Sequence, residues 1–177
     1  MILKKQPGKN LAKSDKPQGN GLACVNQSHN SQAAKEYAFL LLKFRLRSEA
    51  ELLARLKQKG FSQALSQETV NFLKDKEFID DRVFARGWVA SRLKRPYGLR
   101  KIKQELMQKG LDKEVIEGSL SSIKEDYNES QIVSQLAQQR FSRLKGIEPL
   151  KAKMRVYAYL IRRGFAVDVV GEIVKKL

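Results

Sequence analysis

Three stretches, LLARLKQKGF at 52–61, IKQELMQKGL at 102–111 and VYAYLIRRGF at 156–165, decide how this chain folds. Each carries apolar residues at helical spacing into a basic residue, a glycine and a large apolar residue: Lys59-Gly60-Phe61, Lys109-Gly110-Leu111 and Arg163-Gly164-Phe165. Glycine enters the left-handed conformation without steric penalty, so a glycine directly after a periodic segment reads as a helix C-terminal cap. The three glycines stand 50 and then 54 residues apart, the spacing of a repeat protein.

Aligning the copies on these glycines, from eight residues before to thirteen after, gives six positions of 22 that are apolar in all three. They are Leu52/Ile102/Val156, Leu56/Leu106/Leu160, Phe61/Leu111/Phe165, Leu65/Val115/Val169, Val70/Leu120/Val174 and Leu73/Ile123/Leu177. At 42% apolar residues, chance would supply about 1.6 such positions, so the agreement marks a repeated core. Ahead of the first copy, Tyr37, Leu40, Leu41 and Phe44 form an i, i+3, i+4, i+7 stripe, and Ser48 with Glu51 makes a capping box that opens the next helix. Each copy therefore reads as a helix, a second helix ending in basic-Gly-apolar, and a third helix.

The expected fold is all-α, with three-helix repeats at 34–79, 80–126 and 127–177. A unit of roughly 50 residues buries only a small core, so neighbours should share interfaces and form an elongated, curved array. Residues 1–33 lack helical periodicity and contain Pro7, Gly8, Pro17, Gly19, Asn20 and Gly21; they read as a disordered basic tail.

Of 177 residues, 35 are Lys or Arg and 19 are Asp or Glu, a formal net charge of +16. Such a charge favours association with polyanions by counterion release, which makes nucleic acid, single- or double-stranded, the first partner to consider. No apolar run approaches the roughly 18 residues that cross a bilayer, and the N-terminus lacks a secretory pattern, so no membrane partner and a cytoplasmic location are expected. The only Cys, Cys24, and the only His, His29, lie in the polar tail, which leaves no basis for a disulfide, a zinc site or a Cys/His pair. No phosphate-binding loop, zinc-protease helix or nucleophile elbow occurs, so neither catalysis nor a cofactor is expected. The adjacent Asp80 and Asp81 are a conceivable metal pair for a nuclease, but their place before a helix is what N-capping and the helix dipole favour.

The charge is uneven. Residues 1–33 carry +4, 34–80 carry +2, 81–110 carry +7 and 111–177 carry +3. In the densest stretch Arg82 and Arg86 lie one helical turn apart, Arg92, Lys94 and Arg95 close the helix, and Arg100, Lys101, Lys103 and Lys109 follow Pro96-Tyr97-Gly98. Leu99, Ile102 and Leu106 define the buried side of that last helix, which should leave Arg100, Lys101 and Lys103 facing outward toward phosphates. Phe84 and Trp88, four apart, could stack on bases, but their spacing reads as core. A second basic area comprises Arg140, Arg143, Lys145, Lys151, Lys153, Arg155, Arg162 and Arg163. The candidate binding residues are Arg82, Arg86, Arg92, Lys94, Arg95, Arg100, Lys101, Lys103, Lys109, Arg162 and Arg163.

The region from Ala34 to Leu177, about four fifths of the chain, resembles the RecX family, regulators of the bacterial recombinase RecA. The resemblance rests on Ser48, Glu51, Leu52, Leu56, Lys59, Gly60 and Phe61, on FIDDRVFARGWVASRLKRPYGLRKIKQELMQKG at 78–110, and on YAYLIRRGF at 157–165. In the middle block Asp80, Asp81, Phe84, Ala85, Trp88, Arg92, Gly98, Ile102, Glu105, Leu106, Lys109 and Gly110 are similar to the family pattern in type and spacing. Two positions depart from it. Glu77 stands where the family has Gly, and Val83, preceded by Arg82, stands where it has Arg.

The resemblance implies a curved array of three-helix repeats that lies in the groove of the RecA filament, touches neighbouring RecA subunits and approaches the DNA; the chain is expected to be a monomer. It also implies restraint of RecA's ATPase, strand exchange and coprotease role in the SOS response. The rival expectation is an autonomous nucleic-acid-binding protein that uses the same cations without a recombinase.

Overall fold

The computed structural model describes residues 21–124 and 127–177, with side chains at 30–123 and 127–177. The described residues form nine helices and no strand. The first repeat holds α1 (Gly21–Phe44), α2 (Glu49–Lys59) and α3 (Gln63–Asp75); the second holds α4 (Asp81–Leu93), α5 (Leu99–Gln108) and α6 (Lys113–Lys124); the third holds α7 (Glu129–Ser142), α8 (Pro149–Arg162) and α9 (Val167–Lys175). The main helix–helix contacts all fall within these groups of three.

The glycines end the helices as their spacing requires. Gly60, Gly110 and Gly164 have φ of +104°, +76° and +82°. Each donates its N–H to the carbonyl three residues back, while the next residue, Phe61, Leu111 or Phe165, donates to the carbonyl of Leu56, Leu106 or Leu160. This pair of bonds satisfies carbonyls the helix leaves open and turns an apolar residue back onto the last turn. The end of α3 makes the same pair, Glu77 to Lys74 and Phe78 to Leu73, with Glu77 at φ +58°. Here the turn that glycine makes at Gly60, Gly110 and Gly164 is made by a glutamate.

Each repeat buries its own cluster: Leu52, Leu56, Val70 and Leu73 with Ala34, Ala38 and Ile79; Ile102, Leu106, Leu111, Ile116 and Leu120 with Phe84, Ala85 and Val89; and Val156, Leu160, Phe165, Val170 and Val174 with Val133 and Ala137. All six aligned positions are buried or half-buried in every copy. Each cluster is small, the size a three-helix unit can enclose.

The first helix differs from its expected boundary. Nothing breaks the chain between Gly21 and Phe44, since no proline and no further glycine occurs there, and α1 opens at Gly21 rather than near Ala34. The expected disordered segment at 1–20 lies outside the described residues, as do the side chains of Cys24 and His29.

The repeats meet through one relation used twice. The start of α2 abuts the end of α5, and the start of α5 abuts the end of α8. A Cβ on Gly110 would come within 2.4 Å of the Cβ of Ala50, and one on Gly98 would come within 2.2 Å of the carbonyl oxygen of Gly164. At both junctions the carbonyl just before the cap glycine accepts a bond from the helix start: Lys109 O from Ser48 Oγ at 2.6 Å, and Arg163 O from Gly98 N at 2.9 Å.

Candidate partner and nucleic-acid interface

At the first junction the capping serine does two jobs. Ser48 Oγ accepts the N–H of Glu51 while donating to Lys109, and Asp81 Oδ1 accepts the N–H of Glu49 from across the junction. The Glu51 carboxylate does not complete the reciprocal half of its capping box. It is held instead by Arg45 at 2.9 Å and Lys109 at 2.6 Å. Burial alone would raise the Glu51 pKa, but the hydrogen bonds from Arg45 and Lys109 prevail and hold it at about 2. Lys74 pairs with Glu49 at 2.9 Å. Asp81, by contrast, is pushed above the usual aspartate value by burial, with the Glu49 N–H opposing and the Glu49 charge adding. The network continues inward: Lys109 and Arg92 lie over the Trp88 ring, while Arg92 Nε and Trp88 Nε1 both donate to Glu105 Oε2.

The second junction has the same backbone relation but, among the described residues, no ion pair to its cations. Arg163 donates to the Pro96 carbonyl at 2.9 Å and lies over the rings of Tyr97 and Tyr159. Lys101 lies over Tyr97, and Arg140 over Tyr159. Tyr127 donates its hydroxyl to the Tyr97 carbonyl, and burial, assisted by the Glu129 charge, pushes its pKa up to about 12. The two basic areas, separate in the sequence, therefore converge at Pro96–Gly98.

The eleven candidate residues divide into two groups. Arg92, Lys109 and Lys103 pair with carboxylates of this chain, Lys103 with Glu117, while Lys101 and Arg163 are held against tyrosine rings. The outward view of α5 therefore holds for Arg100, whereas Lys101 and Lys103 are half-buried. Arg82, Arg86, Lys94, Arg95, Arg100 and Arg162 are exposed, with side chains unpartnered among the described residues. These do not form one patch. Arg82 and Arg86 line a groove of about 550 Å³ together with Asp112 and Glu114, whereas Arg95, Arg100 and Arg162 are the sequence neighbours of Pro96, Lys101 and Arg163 at the second junction.

Phe84 is core, and Trp88 is half-buried against it, the rings 5.7 Å apart and nearly parallel. Asp80 caps α4 by accepting from Arg82 N and Val83 N, so the capping reading holds for it, while Asp81 serves the neighbouring repeat. Among the described residues no group of three His, Cys, Asp or Glu could hold a metal. Reasoning from sequence missed Tyr97, Tyr159 and Arg140 as one unit. Their shared signal, tyrosine near arginine, means little until the junction brings α5, α7 and α8 together.

Comparison with known proteins accounts for the three-fold plan. Residues 34–73, 80–120 and 128–174 match, in order, the family models "RecX, first three-helix domain", "second three-helix domain" and "third three-helix domain". The chain belongs to the RecX family. Among relatives of this RecX chain, the regulatory protein RecX of Chlorobium phaeobacteroides (strain BS1) is 36% identical over 137 residues, 77% of this chain and 87% of the relative. The regulatory protein RecX of Clostridium botulinum (strain Eklund 17B / Type B) is 34% identical over 145 residues, covering 80% and 67%. Two crystal structures, one of a regulatory protein RecX and one of RecX from Lactobacillus salivarius, share the fold, with TM-scores of 0.78 and 0.70. Each is 21% identical; they cover 94% and 85% of this chain, which spans 83% and 97% of theirs. RecX is a regulatory family, and among the described residues no helix is long and apolar enough to cross a membrane.

Proposed function

We propose that this chain acts in the cytoplasm, as a monomer, by binding the RecA–DNA filament and restraining RecA's ATPase, strand exchange and coprotease activity in recombination and the SOS response. One observation carries the reading: on a RecX scaffold, six exposed cations, Arg82, Arg86, Lys94, Arg95, Arg100 and Arg162, are unpaired among the described residues, while Arg92, Lys103 and Lys109 are neutralised internally. A surface of this kind supports contact with a polyanionic filament. Binding one filament conformation more tightly than another shifts the population of active RecA.

The test is the DNA-dependent ATPase of RecA with this protein added well below the RecA concentration. Inhibition is expected, together with its loss in Arg82→Glu/Arg86→Glu/Arg100→Glu at unchanged helicity. Absence of inhibition by folded protein overturns the reading. The second junction, whose cations pair with no carboxylate among the described residues, favours a second reading, an autonomous nucleic-acid binder. That reading gains if affinity for bare DNA falls by about 10³ between roughly 50 and 200 mM salt and RecA adds nothing.

A further inference from the structure

Five side chains form an alternating row across the second junction. Lys101 Nζ stands 4.8 Å from the centre of the Tyr97 ring; Arg163 stands 5.4 Å from Tyr97 and 4.8 Å from Tyr159; Arg140 stands 5.1 Å from Tyr159. Lys101 belongs to α5 of the second repeat, Arg140 and Arg163 to the third. None of the three cations pairs with a carboxylate among the described residues. The nearby Glu129 carboxylate is occupied by the Ala166 N–H at 3.2 Å.

Cations gathered in this way repel one another, and the ring faces offset that repulsion only in part, because they supply no net negative charge. The row is therefore electrostatically open to an anion. Its chemistry narrows the choice. The ring faces already carry cations, which argues against base stacking as the mode of contact, while the guanidinium groups of Arg140 and Arg163 are planar donors that match phosphate oxygens in pairs. An acidic protein face fits less well, because protein interfaces need an apolar centre. The most exposed aromatic, Phe44, lies with Phe39, Leu40 and Phe78 on the first repeat, and Leu150 and Met154 lie toward the start of α8; around the row itself Tyr157 and Val167 are scattered single residues.

We propose that the Lys101–Tyr97–Arg163–Tyr159–Arg140 row is a contact for the sugar–phosphate backbone of nucleic acid, read without regard to base sequence, and that its occupation tightens the junction. A phosphate between the second and third repeats offsets the repulsion of Lys101 against Arg163 and strengthens the bond from Gly98 N to Arg163 O. This rests on the reading that the basic face meets DNA, and it is tested without RecA so that the two can fail separately.

The experiment is fluorescence anisotropy of a labelled oligothymidylate, and of a duplex of equal length, titrated at several salt concentrations, with circular dichroism confirming fold. Against single strands each lost phosphate contact lowers the slope of log affinity against log salt by about 0.7. Lys101→Gln/Arg140→Gln/Arg163→Gln should therefore lower it by about 2, and Arg140→Gln, whose residue is exposed and bonds nothing across the junction, by about 0.7. In the wild type, amide exchange at Gly98 should slow on binding.

Unchanged slopes in folded variants overturn the site. Loss of RecA association with bare-DNA binding intact identifies a protein contact instead. Unchanged Gly98 exchange overturns the tightening. If wild-type protein leaves RecA unaffected while the slopes fall as stated, the row stands and the RecA reading falls.

Discussion

The two junctions are built on one backbone plan and opposite electrostatics. In both, a helix start is pressed against a cap glycine, and the carbonyl before that glycine accepts a bond from the start of the helix. The first adds Glu49, Glu51 and Asp81 against Arg45, Lys74 and Lys109, so its charges are spent inside the molecule. The second gathers Lys101, Arg140 and Arg163 against rings, with no ion pair to any of them among the described residues. Close approach of backbone at a glycine is thus enough to stack repeats. Charge is free to vary, serving as glue at one junction and facing outward at the other.

Breaking the shared element should give the largest effect. Gly98 has φ −74°, which any residue adopts, so Gly98→Ala tests the contact alone: its Cβ would strike Gly164 backbone at 2.2 Å, which cannot swing aside. Overpacking of about 1–3 kcal/mol plus a strained backbone hydrogen bond gives a loss of about 3 kcal/mol. It should separate the second and third repeats, seen as fast exchange at Gly98 and a larger radius of gyration with helicity retained. Gly110→Ala should cost at least as much, since it adds left-handed strain to a clash at 2.4 Å with the Ala50 Cβ, which is fixed to the backbone and cannot swing aside. Gly60→Ala is the control, with nothing within 4 Å of its Cβ, and should cost only about 1 kcal/mol. Equal losses at Gly60 and Gly98 would show that the junctions contribute no stability.

Acid should divide the junctions next. Glu51 is held at about 2, below its ordinary value of 4.5. A carboxyl depressed in the folded state stabilises above its unfolded value and loses that contribution as pH falls toward its folded one. The first junction should therefore lose on the order of 2–3 kcal/mol between pH of about 4.5 and 2. The raised Asp81 acts in the opposite sense, so Glu51→Gln isolates the term. It should remove about 2 kcal/mol near neutrality and flatten the acid limb. Protection of the Gly98 amide, relative to its intrinsic exchange rate at each pH, should stay constant over this window, because the cations of that junction pair with no carboxylate among the described residues. Parallel acid loss at both junctions would refute the separation.

Periodicity and glycine spacing made the repeats legible, because both are local and period-bound. The six aligned positions are core in every copy, and all three glycines cap. The cations were legible as a count but not as a surface. Lys109 and Arg92 look like any basic residues until Glu51, 58 positions from Lys109, and Glu105 are placed beside them. Lys103 is likewise absorbed by Glu117. Side-chain pairing over such separations depends on which helix ends meet, which helical periodicity does not encode. The same limit hid the second role of Asp81 and the tyrosine row. Ser66 shows a smaller failure: it stands at the position of Ile116 and Val170, and its hydroxyl is buried with no hydrogen-bond partner among the described residues.

The smallest effect sharpens the comparison at its connecting turn. Glu77, at φ +58°, ends α3 and leads directly to Asp80 and Asp81, which cap α4 and the start of α2. Holding a residue with a Cβ in the left-handed region costs about 1–2 kcal/mol, part of which glycine returns through its greater freedom in the unfolded chain. Glu77→Gly should therefore stabilise the protein by about 0.5–1 kcal/mol, an upward shift of a few degrees in thermal midpoint. The gain should appear in the first repeat and first junction, as slower exchange at the Glu49 amide, and leave Gly98 unaffected. A destabilised Glu77→Gly protein would mean that the glutamate side chain contributes more than its backbone strain costs. In that case the turn would belong to the ionic network of the first junction.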